Sequence, residues 1–415
     1  MSSSRETFEP VRKFGIVILK KTKNMNIACI PYHDWRKIES EGSRTRDSHI
    51  ISHLRKNSDV DNLIIVNRPI SYLELWLLKR RQKIQGQKVF SWGRATLYRL
   101  SSKVYVFDYV SKDIIGPVAK RKNWFFDEFG KTDFLECFKS CLKYLQIEID
   151  AILTQNIFSR SFVKNLELPT VFDAWDNFLL FPENKKYETA FYNAYSDLAN
   201  TADVWITNAI KNVIYYKENY QPKQCLLIKN GVDIERFRRS YKKPQEIEEI
   251  SSPIIGFGGK ITHLFDYKLF NYLVSANPLK SFVIVGQILD QSVFKNISKA
   301  KNLFYLGDKK YDEYCSYVTN FDVGIIPYVS NNLEHGADTI KMYEYLASGL
   351  NVVGTPGAGM SDMSDYIYIS STPGEFSDNI DRALVETNKI TLPHFHTWDY
   401  KTKQITEILK QLSNG

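Results

Sequence analysis

Short runs of consecutive apolar residues recur along the chain, separated by stretches in which apolar positions return every three or four residues. In the first half the runs are MNIACIPY (25–32), DNLIIVN (61–67), VYVFDYV (104–110), DAILTQ (150–155), PTVFDAWD (169–176), DVWITN (203–208) and CLLIKN (225–230). Between several of them lie helical periods such as YETAFYNAYSDLANTA (187–202). Wholly apolar strands alternating with helices predict an α/β fold whose parallel sheet is covered on both faces. The charged, proline-closed segment RRSYKKPQEIEEISSP (238–253) interrupts this rhythm and reads as a linker. A second series follows: PIIGFGG (253–259), SFVIVGQ (281–287), NLFYLGD (302–308), FDVGIIPY (321–328), NVVGTP (351–356) and YIYISS (366–371).

Two doubly wound units are therefore expected, over 25–237 and 253–392, joined by 238–252 and closed by an amphipathic helix within 393–415. Residues 1–24 read as an appendage, since the first strand opens at Met25. Ligands in such sheets bind beyond the carboxyl ends of the strands, so the expected site is a cleft between the two units.

A length of 415 residues agrees with two cores rather than one. No apolar run approaches the ~18–20 residues of a membrane span; FGIVIL (14–19) is flanked by lysines and is not followed by a small-residue cleavage site. Five scattered cysteines without metal-ligand spacing are expected as reduced thiols in a cytoplasmic protein. The net charge of +8 is uneven. Residues 1–120 hold 23 Lys and Arg against 11 Asp and Glu, while the remainder holds 32 against 36. An anionic partner is thus expected on the first unit.

One helix concentrates the candidate chemistry. In DTIKMYEYLASG (338–349), Asp338 is the expected N-cap, Gly349 the stop, and Ile340, Tyr343 and Ala347 the buried stripe. Lys341 and Glu344 then flank that stripe near the positive end of the helix, where a diphosphate could meet an ammonium and backbone N–H groups together. The plain alternative is an intrahelical ion pair of about 0.2–0.5 kcal/mol. Upstream, GFGGKI (256–261) follows a strand, and Gly258, Gly259 and Lys260 suit a close phosphate approach. The spacing matches neither a dinucleotide-binding nor a P-loop fingerprint.

Taken in order, GFGGKI, SFVIVG, NLFYLGD, FDVGIIPY and IKMYEYLASGLNVVGTP resemble the C-terminal half of GT-B-fold glycosyltransferases, above all family 4 and xanthan-type glucuronosyltransferases. VFDAWDNF (171–178), ADVWITNA (202–209), IKNGVDIERF (228–237) and the closing HTWDYKTKQI extend the resemblance over roughly 165–410. It implies two Rossmann-like units facing a cleft and a final helix that crosses back to the first. It also implies a nucleoside-diphosphate sugar, with a UDP-sugar the first expectation, and no prosthetic group or metal. Glu344 would hold the ribose, Lys341 with Gly258 and Gly259 the diphosphate, and the loops after 286 and 307 the base. Lys260, Tyr328 and Tyr345 would complete the donor pocket. Two departures stand out. Thr339 replaces the family's proline before Lys341, and the partner glutamate of retaining members would fall at Gly336, beside Glu334 and His335.

For an inverting transfer a carboxylate must take the acceptor proton. Asp176 is the first candidate and Asp173 the second. Arg44, Arg46 and His49 are expected at the acceptor or a phosphate. Asp59-Val60-Asp61 matches a metal-binding pair only superficially. Trp76 beside Lys79, Arg80 and Arg81, and Trp124 with Phe125, suggest an anionic membrane surface on the inner face of the cell membrane and a saccharide or polyprenyl-diphosphate-linked acceptor. A core helix with a charged end explains the same residues. The rivals are a nucleotide-sugar 2-epimerase of the same fold and a non-catalytic binding module. No stacking motif supports nucleic acid.

Overall fold

The computed structural model describes residues 24–77, 83–330, 338–357, 359–387 and 391–414. Ten strands form the first sheet. They are β1 (Met25–Ile30), β2 (Val60–Val66), β3 (Ile70–Ser71), β4 (Gln87–Trp92), β5 (Ala95–Ser101), β6 (Val104–Ser111), β7 (Ala151–Thr154), β8 (Thr170–Asp173), β9 (Val204–Thr207) and β10 (Cys225–Leu227). Their spatial order is β10-β9-β8-β7-β1-β2-β6-β5-β4, with β3 beside β6. Pairing is parallel except for β4–β5 and β5–β6. The sequence pattern does not anticipate that antiparallel extension. Its two strands carry mixed, half-exposed residues rather than wholly apolar runs, because they form the sheet's outer edge.

The second sheet holds β11 (Ile254–Gly258), β12 (Ser281–Val285), β13 (Leu303–Tyr305), β14 (Val323–Ile326), β15 (Asn351–Gly354) and β16 (Tyr368–Ile369), all parallel, in the order β13-β12-β11-β14-β15-β16. The parallel winding changes direction between β1 and β7 in the first sheet and between β11 and β14 in the second. The crevices at these two reversals are where ligands of doubly wound sheets sit.

The helices cover the sheets through apolar stripes. In Thr132–Leu145, Phe134, Cys137, Phe138 and Cys141 are the buried positions, so this cysteine pair is core packing. All five cysteines are buried and unpaired. Asp59 and Asp61 bind Lys410 and Asn24, and no metal-ligating cluster occurs among the described residues. Segment 238–252 carries a short helix, Gln245–Glu248, and sinks Ile247 and Ile250 into the second core. No helix among the described residues is long and apolar enough to cross a membrane.

The final helix, Trp398–Ser413, belongs to the first core. Trp398, Ile405 and Leu409 pack with Ile50, Ile51 and Leu54 of the helix Arg46–Leu54. The chain reaches it by a crossing beside the outgoing strand: Val232 bridges Thr397, and a Cβ on Gly231 would lie 2.7 Å from the Thr397 carbonyl carbon. The two lobes therefore meet along a double crossing.

Candidate active site

The carboxyl edges of the two sheets face one cleft of about 400 Å³. The second-lobe wall is built on the helix Ile340–Ala347. Thr339, not Asp338, is its N-cap. Asp338 instead accepts the Asn230 backbone N–H at 2.6 Å and the Tyr343 hydroxyl at 2.8 Å, tying the helix start to the crossing strand. The far end closes as expected: Gly349 takes φ +80°, and the N–H of Leu350 returns to the Tyr345 carbonyl at 3.0 Å. Burial extends over Met342–Ala347, while Ile340 is only half-buried.

Lys341 and Glu344 both line the cleft, and each finds its hydrogen-bond partners on other elements rather than in an intrahelical pair. Lys341 lies over the Tyr328 ring, 4.8 Å from its centroid, and donates to the Tyr328 hydroxyl. Glu344 is 4% exposed and accepts hydrogen bonds from Tyr311 at 2.7 Å and Tyr314 at 3.2 Å. Burial raises its pKa above the ordinary carboxylate value, opposed by those hydroxyls and by Lys341.

The glycine turn works differently from expectation. The Gly258 N–H donates to Tyr345 at 2.6 Å, and the Gly259 N–H donates to the Val285 carbonyl at 2.8 Å, so both are engaged within the lobe. What the glycines supply is space. A Cβ on Gly258 would lie 2.4 Å from the Tyr314 oxygen, and one on Gly259 would lie 2.6 Å from Lys341 Cε. Their absence lets the tyrosine that holds Glu344, and Lys341 itself, close onto the strand. Tyr345 is fully buried beneath the turn; it supports Gly258 and does not line the cleft.

Lys260 faces the cleft without an ion-pair partner among the described residues. Burial, then Lys37 and Arg44, push its pKa down to about 8. A cation so placed favours an anion that would restore its charge.

The first-lobe wall comes from the ends of β1 and β8 and from the start of the helix Arg46–Leu54. Arg46, 3% exposed, clamps both oxygens of Asp173 at 3.0 and 2.9 Å and binds Asn230 at 3.0 Å. Its Nη2 is buried without a partner. Asp173 also accepts from Gln155 at 2.9 Å and is wholly buried. Both its oxygens are occupied, so Asp173 cannot serve as a free base; it anchors Arg46. Asp176 does line the cleft. Burial raises its pKa well above the ordinary value, Asp173 adds to the rise, and Arg46 and Lys260 oppose it.

Arg44 lines the cleft and is held in ion pairs with Glu41 and Asp308. It crosses the cleft mouth to Asp308 at 2.9 Å and Gln287 at 3.4 Å, on the loops expected to meet the base. His49 departs from expectation. It is fully buried, stacked on Trp398 at 4.8 Å and edge-on to Tyr311 at 5.2 Å. Both its nitrogens lack partners, and burial lowers its pKa to about 3. It is a neutral ring packed where the lobes meet.

One feature escaped the sequence. His33, just past β1, places Nδ1 2.9 Å from Asp47 and lines the cleft. Asp47 also accepts the His33 backbone N–H at 3.0 Å and stays ionised, its pKa lowered by His33 and Thr45 against the opposing effect of burial. Ionised Asp47 takes the Nδ1–H, and Nε2 is left outside the pair. Fourteen residues separate the pair, and only the turn after β1 brings them together.

The expected membrane residues divide. Trp76 is 75% exposed, but Trp124 is 1% exposed, with its indole N–H bonded to Asp113 at 3.0 Å. Phe125 is half-buried beneath the Arg68 guanidinium, 4.9 Å from the ring centroid. Neither is a surface anchor. Lys79, Arg80 and Arg81, like Glu334, His335, Gly336 and residues 1–23, lie outside the described residues.

Two sheets, the second wholly and the first mainly parallel, whose carboxyl edges face one cleft, with the last helix returned to the first lobe, define the GT-B fold. Solved structures share it across almost the whole chain. Escherichia coli trehalose-6-phosphate synthase bound with UDP-2-fluoroglucose aligns with a TM-score of 0.63 at 10% identity, covering 93% of this chain and 99% of that one. The catalytic domain of Arabidopsis thaliana starch synthase IV, bound to ADP and acarbose, gives 0.62 at 11%, over 95% and 100%. Anabaena HepE in complex with UDP gives 0.58 at 12%, over 94% and 99%. In sequence, 146 residues are 27% identical to TuaH of Bacillus subtilis strain 168, a glycosyltransferase provisionally assigned to teichuronic acid biosynthesis. That match spans 34% of this chain and 37% of TuaH. No family model matches the chain.

Proposed function

We propose that the protein is a glycosyltransferase that moves a sugar from a nucleoside-diphosphate donor to a saccharide or lipid-linked acceptor in surface-polysaccharide synthesis. One observation carries it: Lys260, Lys341 and the partnerless Nη2 of Arg46 share a cleft with Asp176, which has a raised pKa, and with Glu344. Lys260 and Lys341, which line the cleft and have no ion-pair partner among the described residues, suit a diphosphate, whose charge grows as the sugar departs. Glu344 receives the ribose when the Tyr311 or Tyr314 hydroxyl yields its place. The UDP and ADP ligands of the structural neighbours support this donor class, and the name of TuaH supports transfer into a surface polysaccharide.

A thermal-shift series with UDP, ADP, GDP, CDP and dTDP tests the donor site. At about 100 times its Kd, the fitting nucleotide should add about 2.7 kcal/mol. Lys341→Ala and Glu344→Gln should each remove most of that shift. If every nucleotide leaves the melting temperature unchanged, the reading fails.

The lowered Lys260 pKa adds a pH signature. Well below pH 8 the ammonium is charged and affinity is flat with respect to this group. As pH rises through about 8, the free protein loses the proton that the bound diphosphate needs, so affinity falls. Loss of one charge-assisted contact is about 1.5–3 kcal/mol, or roughly tenfold or more. Titration calorimetry with the fitting nucleotide at pH 7.5 and 9.5 should register that drop. Lys260→Arg should flatten it, whereas an equal drop in the variant assigns the pH effect elsewhere.

A further inference from the structure

Beyond the cleft, the end of β6 carries an apolar knob set among cations. In KDIIGPVAKRK (112–122), Ile114, Ile115 and Val118 are 56%, 76% and 61% exposed, with exposed Lys112, Lys120 and Arg121 at either end. The knob is built rather than loose. Asp113 accepts the Gly116 N–H at 2.7 Å and the indole N–H of buried Trp124 at 3.0 Å. A Cβ on Gly116 would fall 2.0 Å from the Asp113 carboxylate and 2.4 Å from the Trp124 ring, so the turn closes only around glycine. Pro117 then starts the following helical turn. Trp124 thus anchors the segment from within while the isoleucines point outward.

Two neighbours extend this face. Ser71 on β3 pairs in register with Ser111 on β6, which sets Tyr72 and Lys112 side by side as the strands end; Tyr72 and Trp76 are 57% and 75% exposed. Arg68 joins the halves, bonded to Glu74 at 2.5 Å and stacked over Phe125 at 4.9 Å. On the other side of the knob, Lys120, Arg121, Arg160 and Lys186 line a cavity of about 670 Å³ together with Asp127, which binds Lys120 at 2.6 Å. Arg160 Nη1 binds Asp197 at 2.7 Å, which leaves Arg121 and Lys186 as the cations of this cavity without an ion pair among the described residues. The Arg160 Nε is buried there without a partner.

We infer that this face docks on an anionic lipid bilayer, with Ile114, Ile115, Val118 and Trp76 entering the interface and the basic cavity receiving lipid phosphate. Bulky apolar residues held outward by a rigid turn, next to a surplus of cations, match the apolar and charged layers of such a surface. The orientation suits the cleft. β6 lies two strands from β1 in the sheet order, about 10 Å at the usual strand spacing, and both strands end on the edge that carries His33. The docked protein keeps its first-lobe cleft wall beside the bilayer. Nucleotide binding tests the donor reading and vesicle binding tests this one, so either fails without the other.

The test is flotation of the full chain with vesicles of pure phosphatidylcholine and of phosphatidylcholine with about one-third phosphatidylglycerol, at low salt. Binding is expected to the anionic vesicles only. The double variant Ile114→Asp, Ile115→Asp should cut the bound fraction at least tenfold, with melting temperature and nucleotide-induced shift unchanged. Arg121→Glu with Lys186→Glu should cut it similarly. Absence of binding by the wild type, or undiminished binding by the isoleucine variant, overturns the assignment. So does a concentration-dependent dimer in sedimentation velocity that the isoleucine variant abolishes, since a second copy would then own the face.

Discussion

Arg46→Met is expected to lower the melting temperature by roughly 6–20 °C and to abolish transfer. The guanidinium and the Asp173 carboxylate are 3% and 0% exposed and lie within 3.0 Å of each other. Removing one member of such a pair strands the other charge, typically at a cost of about 3–5 kcal/mol. Each kcal/mol moves the midpoint of a unit of this size by about 2–4 °C. The double variant Arg46→Met, Asp173→Asn strands no charge and should recover most of the loss, because the new amide can still meet Gln155. Transfer should stay absent, since the cleft has lost Nη2. Calorimetry of the four proteins in the cycle decides the point. If the double variant is no more stable than Arg46→Met alone, the pair is not what holds this wall.

Asp176→Asn is expected to reduce kcat by about 10²–10⁴ while leaving nucleotide affinity within about twofold. Its raised pKa makes the carboxylate a stronger base than an exposed aspartate, and proton uptake from an acceptor hydroxyl is the step the substitution removes. The His33–Asp47 pair favours a second reading in which Nε2 takes the proton. Parallel assays of His33→Asn separate the two. The variant that loses kcat and the acid limb of the pH profile together identifies the base. Full activity in Asp176→Asn rejects the first reading.

Which parts of this were legible in the sequence follows from the range of the interactions. All six strands of the second sheet were readable, because each lies in a short run dominated by apolar or aromatic residues, even where it is half-exposed, as in β13 and β16. The edge hairpin β4–β5 was missed because QKVFSW and ATLYRLS interleave polar with apolar residues and carry no such run. Lys341 and Glu344 were visible as a departure from an apolar helix. Their real partners were not, because Tyr328, Tyr311 and Tyr314 come from other elements. Trp124 misled because an aromatic beside basic residues reads alike whether it is inserted in a bilayer or buried under its own turn. The missing Cβ of Gly116 decides between them, and that is a three-dimensional fact. Asp176 ranked ahead of Asp173 in the sequence, but the reason they differ lies outside it: the reach of Arg46 from 127 residues away makes Asp173 an anchor and leaves Asp176 open.

The return of helix Trp398–Ser413 to the first lobe bears on how the protein is made. Domains generally fold as units from the N-terminus while synthesis proceeds at about 5–20 residues per second. Here the first core cannot close on that schedule. Ile50, Ile51 and Leu54 wait for Trp398, Ile405 and Leu409, which leave the ribosome only after the whole second lobe has been translated. For tens of seconds at those rates, the nascent first lobe shows an apolar groove shaped for a helix that does not yet exist. The lobe translated first is the lobe completed last, and its exposed groove is a natural substrate for chaperones that hold amphipathic segments.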